Sequence, residues 1–196
     1  PSINHNILLK IIERKIKDKD VLWLLEDIIR SIDGDTNVPI GNYTSQWLGN
    51  LYLNELDYFV KHTLKCKYYI RYNDDFVIIG SNKKELHRVN ESIRNFLNQN
   101  LNLTLTKDKV KPLKCGIDFV GYRHFNNYIL LRKSTAKKIK QKFSNIITKI
   151  REGRLVKNLH SIIGAYEGWL KHANTFNLKI QSEFFTLKEL NYERIS

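Results

Sequence analysis

Two adjacent aspartates, Asp74 and Asp75, lie in the stretch YIRYNDDFVIIG (residues 69–80), between two apolar runs. Like charges this close repel, and unless a cation sits between them one tends to keep its proton. A divalent metal is one such cation. Hard ions such as Mg²⁺ take oxygen ligands, keep several waters and complete their shells with substrate phosphates, so one or two protein carboxylates suffice. Two-metal phosphoryl and nucleotidyl transfer uses this arrangement, one ion activating the attacking hydroxyl and the other steadying the leaving group. Asn and Asp also favour tight turns for conformational reasons, so NDD alone fits a plain turn as well.

Neighbouring side chains of a strand point to opposite faces, so adjacent carboxylates reach one ion only where the backbone turns. The β-branched and aromatic runs KYYIRY and FVIIG, separated by NDD, predict a hairpin that supplies this turn. Upstream, residues 4–31 carry Ile7, Leu8, Ile11, Ile12, Val21, Leu22, Leu24, Leu25, Ile28 and Ile29 at helical spacing, broken by polar KDKD, which predicts two helices or one interrupted helix. Residues 33–42 (DGDTNVPIGN) predict a loop. A long helix is expected over residues 44–64, with Trp47, Leu48, Leu51, Leu56, Phe59, Val60 and Leu64 along its inner stripe.

Downstream, Ser81 is expected to cap a helix running to about Gln99, with Leu86, Val89, Ile93, Phe96 and Leu97 inward. Short strands are expected at LTLT (103–106), DFVGYRHF (118–125) and YILLR (128–132), the last two joined by Asn126 and Asn127. Ser134 is expected to cap a basic helix ended by Gly153, with Ile139, Phe143, Ile146, Ile147 and Ile150 inward and Lys137, Lys138, Lys140 and Lys142 outward. Two or three further helices should complete the chain, anchored by Trp169. The expected class is α+β: an antiparallel sheet with packed helices over residues 1–132, then a helical region over 133–196.

The chain of 196 residues is 42% apolar, enough for one large domain or two small ones. Its 33 Lys and Arg against 20 Asp and Glu give a net charge of +13. That charge is local: residues 1–60 hold 6 basic and 9 acidic side chains, whereas residues 107–157 hold 15 basic and 3 acidic. A concentrated basic face suits a polyanion such as nucleic acid. Cys66 and Cys115 form no CxxC pattern, which speaks against a disulfide framework or a zinc site and for a reducing, cytosolic setting. No apolar run approaches the ~20 residues of a membrane span, and no signal sequence is recognisable. With no Met, and an abrupt opening on PSINHNILLKII, the sequence is expected to be a fragment or a processed piece.

YNDD (residues 72–75) between YIR and FVII resembles the YxDD signature of reverse transcriptases. PIGNYTSQWLGNLYLNELD (39–57) is similar to the family's nucleotide-pocket loop and the helix leading into the palm. FVGYRHF (119–125) resembles the strand pair that grips the primer end, and NLHSIIGAYEGWLKHANTFNL (158–178) the helical thumb; PSINH resembles the tail of the segment carrying the first catalytic aspartate. Most family members carry Gln-Gly near the start of the pocket loop and Ser-Pro near its end. Here Ile40-Gly41 and Ser45-Gln46 stand there, resembling the enzymes of diversity-generating retroelements, which copy a template RNA with errors at adenines. Losing the Gln amide would loosen the constraint on the incoming nucleotide and lower discrimination.

The resemblance implies an RNA-directed DNA polymerase with a palm and a thumb, using two Mg²⁺ ions or Mn²⁺ in their place. It implies Asp74 and Asp75 as metal ligands and catalytic residues, with Tyr72 and Asn73 under the primer end and nucleotide. Ile40 and Gly41 would line the pocket, with Gln46 supporting its loop, and Phe119, Gly121 and Tyr122 would hold the primer. Lys107 or Lys109 falls where relatives keep a lysine proposed as proton donor to pyrophosphate. Lys137, Lys138 and Lys142 would meet the nucleic-acid backbone. Implied partners are a template RNA, a primer or cDNA strand, dNTPs and a basic accessory protein, in the cytoplasm of a bacterial or phage system and with no membrane. The first catalytic aspartate, the residue screening against the ribose 2′-hydroxyl and the basic fingers would precede Pro1. The chain as given is therefore expected to bind nucleic acid and to polymerise little. The alternatives are a non-catalytic nucleic-acid-binding module derived from a polymerase, and a retron or phage-defence reverse transcriptase, against which Ile40 and Gln46 argue.

Overall fold

Asn4, whose side chain accepts from the Ile7 amide at 3.1 Å, starts helix α1 (His5–Lys15), and Leu8, Ile11 and Ile12 bury its inner stripe. The chain turns extended at Ile16, and Asp18 then caps α2 (Lys19–Arg30) by accepting from the Asp20 and Val21 amides. The polar KDKD stretch thus separates two helices. The structure, a computed structural model, describes residues 2–39 and 43–192, the side chains of 191 and 192 excepted. Ile40 and Gly41, expected to line a pocket, lie outside the described residues.

Helix α3 (Tyr43–Tyr58) buries Leu48, Tyr52 and Leu56 at successive turns, then widens into a π-helical stretch, Phe59–Thr63. The long helix expected to Leu64 therefore ends in a different winding. Trp47, expected on the inner stripe, is 47% exposed; fully buried Tyr52 takes the inner position, its hydroxyl donating to the Leu101 carbonyl at 2.5 Å. The hairpin forms as expected: β1 (Tyr68–Tyr72) pairs antiparallel with β2 (Asp75–Ile79), Tyr72 opposite Asp75.

Helix α4 (Lys83–Leu101) is capped by Asn82, not Ser81; its amide oxygen accepts from the Lys84 and Glu85 amides, a reach the shorter serine one residue earlier lacks. Ile93, Leu97 and Leu101 pack inward, and Phe96 stacks on Phe59 with ring centroids 4.2 Å apart. The LTLT segment is not a strand. Among the described residues it pairs with no strand, and it follows α4 as a stretch without regular structure whose Leu103 and Leu105 cover the core.

The described chain divides by packing after Val110 rather than at the compositional step near residue 132. The reason is visible in the second core: Leu131, the last residue of a sheet strand, packs with Ile139, Phe143, Ile146 and Ile147 of the basic helix. In this second unit β3 (Ile117–Phe119), β4 (Tyr122–His124) and β5 (Ile129–Leu131) form an antiparallel sheet in chain order. The single strand expected over DFVGYRHF is thus itself a hairpin. Val120 and Gly121 both take positive φ, +47° and +84°, and turn the chain.

Helix α5 (Lys133–Arg151) starts one residue before the expected cap. Arg132 occupies the N-cap position without a side-chain bond, its amide reaching the Gly121 carbonyl at 3.4 Å, so the sheet sets the helix entry. Gly153 ends it as expected, at φ +71°, with the Arg154 amide closing onto the Lys149 carbonyl. Three short helices follow: α6 (Leu159–Lys171), α7 (Phe176–Gln181) and α8 (Phe184–Tyr192). Trp169 is no anchor, being 50% exposed; Leu170 beside it is the buried residue. Helices and two small antiparallel sheets together make the class α+β. Among the described residues no helix is long and apolar enough to cross a membrane.

Candidate active site

The register of β1 and β2 leaves only Asn73 and Asp74 in the turn. Asn73 carries the positive φ, +52°, which Asn tolerates better than most residues. Tyr69 and Arg71 of β1 point inward, and Tyr69, Phe76 and Ile78 pack on the first core. Tyr68, Ile70 and Tyr72 therefore face out, and Asp75, opposite Tyr72, shares that outer face. Asp74 and Asp75 are both exposed. The ion pairs found among the described residues all lie elsewhere, so none of them neutralises this tip.

Beneath the tip lies a network the sequence reading did not identify. Arg71 grips Asp57, in the last turn of α3, with two parallel bonds: Nε to Oδ1 at 2.7 Å and Nη2 to Oδ2 at 2.6 Å. Its Nη1 donates to the Asn73 carbonyl at 2.8 Å and to Asn50 Oδ1 at 3.1 Å, and the Tyr69 hydroxyl donates to Asp57 Oδ1 at 2.6 Å. The available signal was the strand alternation. It turns Arg71 toward the core, where a guanidinium requires a carboxylate partner.

Burial by itself would raise the Asp57 carboxyl, but the Arg71 and Tyr69 hydrogen bonds and the Arg71 charge outweigh it and hold the carboxyl below its ordinary value. The Asp57 bond raises Arg71 in turn, and burial, then Asp57, pushes the Tyr69 hydroxyl up. A depressed folded-state carboxyl contributes stability that is complete above the unfolded value of about 4 and is lost as pH falls through the folded value. The thermal midpoint should therefore drop progressively on acidification below about pH 4. In D57N that component should be gone, leaving a lower but flatter profile; parallel profiles would contradict this account.

The remaining candidates are distributed as follows. Gln46 is exposed in the first turn of α3, beside Ser45, whose hydroxyl donates to the Pro39 carbonyl. Lys107 and Lys109 are exposed on the irregular segment after α4, flanking Asp108, which is tied to Arg94 and, at 3.4 Å, to Asn90 Nδ2. Phe119, Gly121 and Tyr122 surround the β3–β4 turn of the second unit, where the Tyr122 hydroxyl donates to the Trp169 carbonyl at 3.1 Å. Lys137, Lys138 and Lys142 are exposed along α5, whereas Lys140 is engaged by Gln181 at 2.6 Å.

Tip, Tyr72 and Asn73 are thus brought together on one hairpin. Its donor set is two neighbouring carboxylates with free oxygens, which suits a hard divalent ion. Among the described residues no group of three or more His, Cys, Asp or Glu side chains could hold a metal, so such an ion would rely on water and phosphate oxygens for the rest of its shell.

The family described as reverse transcriptase (RNA-dependent DNA polymerase) matches residues 2–124, and the chain belongs to it. It is also similar to the putative COX1/OXI3 intron 2 protein of Saccharomyces cerevisiae, 21% identical over 248 aligned positions that cover 85% of this chain and 29% of the yeast protein. Protein YkfC of Escherichia coli K12 is 27% identical over 164 positions, 62% of this chain and 43% of that protein. The chain thus spans less than half the length of either relative.

Proposed function

We propose that this chain is the palm and thumb of an RNA-directed DNA polymerase that extends a primer on an RNA template. The carrying observation is the exposed, unneutralised Asp74–Asp75 tip on a hairpin braced from below. Repelling carboxylates that form no ion pair among the described residues gain most from an ion that arrives with the substrate. Asp74 and Asp75 would hold Mg²⁺, or Mn²⁺ in its place; when bound, the metal activates the primer hydroxyl and stabilises charge on the departing pyrophosphate. Tyr72 and Asn73 support the reacting ends, Gln46 the pocket loop, and Phe119, Gly121 and Tyr122 the primer. Lys107 or Lys109 delivers a proton to pyrophosphate.

The exposed lysines of α5 contact nucleic-acid phosphates, which position a duplex without reading its sequence. A groove of about 530 Å³ lined by Lys137 and one of about 300 Å³ lined by Lys142 give that face relief. K138E is expected to weaken RNA binding several-fold and to lower the slope of log affinity against log salt by about 1. An unchanged slope would place α5 away from the phosphates.

Within the family, Ile40-Gly41 and Ser45-Gln46 favour the error-prone type of diversity-generating retroelements, with a structured template RNA and a basic accessory protein in a bacterial or phage cytoplasm. Similarity to a protein named for an intron favours a second reading, an intron-associated enzyme. Primer extension by the full-length protein on a defined RNA template tests both levels. Mg²⁺-dependent extension supports the polymerase, and RNA binding without extension would leave a non-catalytic module. Errors concentrated opposite template adenines support the first type; evenly distributed errors support the second.

A further inference from the structure

Beyond the fork onto Asp57 and a contact to Asn50 Oδ1, Arg71 makes a further bond that its own burial does not require. Its side chain is 11% exposed, and the fork onto Asp57 already satisfies the charge. The further bond, from Nη1 to the Asn73 carbonyl, ends on an exposed turn where water could serve equally well. That carbonyl belongs to the peptide joining Asn73 to Asp74, so the guanidinium holds the backbone at the point where the acidic pair begins. The base of the latch is rigid. Asp57 follows directly on Leu56, and α3 is fixed in the core by Leu48, Tyr52 and Leu56.

We propose that Arg71, seated on Asp57, is a positioning residue for the metal-holding tip, fixing the Asn73–Asp74 peptide so that both carboxylates meet a divalent ion from one side. The proposal rests on the reading of that tip as part of a polymerase site. The guanidinium suits the task because its planar fork spans a carboxylate and a carbonyl together, which a lysine ammonium on its flexible stem cannot do with the same rigidity. Sites need their ligands held by locked neighbours, and displacement of about 1 Å can cost ~10²-fold in rate.

The test uses the full-length protein and five forms: wild type, R71K, D57N, Y69F and D74A. Y69F is the control for stability, since it deletes one bond to Asp57 and leaves both the fork and the Asn73 contact in place. R71K should lower incorporation at saturating nucleotide by about 10–100-fold. It should also raise the Mg²⁺ concentration giving half-maximal activity several-fold, with part of the rate regained in excess Mg²⁺. RNA affinity should be unchanged, and the thermal midpoint no lower than in Y69F, whose rate and Mg²⁺ requirement stay at wild-type values. D57N should move both quantities in the same direction to a smaller extent, and it provides the readout should R71K not fold. The proposal is overturned if R71K and Y69F lose activity in proportion to stability, or if the Mg²⁺ requirement stays unchanged in R71K and D57N. D74A separates the two levels: retained activity there would remove the polymerase reading, whereas an inactive D74A beside a normal R71K would remove only the role of Arg71.

Discussion

Replacing Asp74 by Ala is expected to abolish nucleotide incorporation while leaving the fold and RNA binding intact. Metal-assisted stabilisation of a transferring phosphoryl group supplies several kcal/mol. At about 1.4 kcal/mol per factor of ten, losing one ligand should cost roughly 10³-fold or more. The structural cost is small for identifiable reasons. Asp74 is exposed and its neighbour Asn73 carries the positive φ, so Ala at 74 adds no backbone strain. Removing it also relieves repulsion with Asp75. Stability should stay within about 0.5 kcal/mol, as for most surface substitutions. Incorporation near the wild-type rate would show that the carboxylates form only a turn.

The largest effect on stability is expected at Phe143. It is completely buried on the inner stripe of α5, edge-on to Tyr166 with centroids 5.0 Å apart and stacked near Phe184 at 5.6 Å. Phe143→Ala removes the ring and leaves a cavity that two aromatic neighbours cannot collapse to fill, at a cost of about 3–5 kcal/mol. Trp169→Ala, at a half-exposed side chain, should cost under about 1 kcal/mol. Urea denaturation of the two variants orders them directly, and equal midpoints would contradict the placement of the second core. The comparison also bears on nucleic-acid binding, because the helix anchored by Phe143 carries Lys137, Lys138 and Lys142 on its outer side.

The tip hairpin was legible in the sequence because three local signals coincide there: alternation, β-branched and aromatic residues, and a turn rich in Asn and Asp. The helices were legible from their period, and errors at their starts stayed within one or two residues. What failed was whatever depended on partners distant in the chain. LTLT alternates like a strand, yet only pairing makes one, and it has none among the described residues. DFVGYRHF reads as continuous because Val120 conceals a turn that Gly121 alone marks. Helical spacing puts Trp47 on the inner stripe of α3 and offers Trp169 as an anchor, but the core positions belong to Tyr52 and Leu170. Arg71 and Asp57 were missed for the same reason, since 14 residues separate them and only the packing of hairpin on α3 brings them together. Asp74 and Asp75 could be named from sequence; what braces them could not.

The claim on which the rest depends is that the acidic tip holds a divalent cation beside nucleic acid. Mn²⁺ added to the full-length protein with primer, RNA template and a non-hydrolysable nucleotide, followed through paramagnetic broadening of backbone amide signals, reports on it directly. Broadening centred on residues 72–76, and lost in D74N/D75N, is the expected result. Broadening centred elsewhere and unchanged in that variant would contradict it.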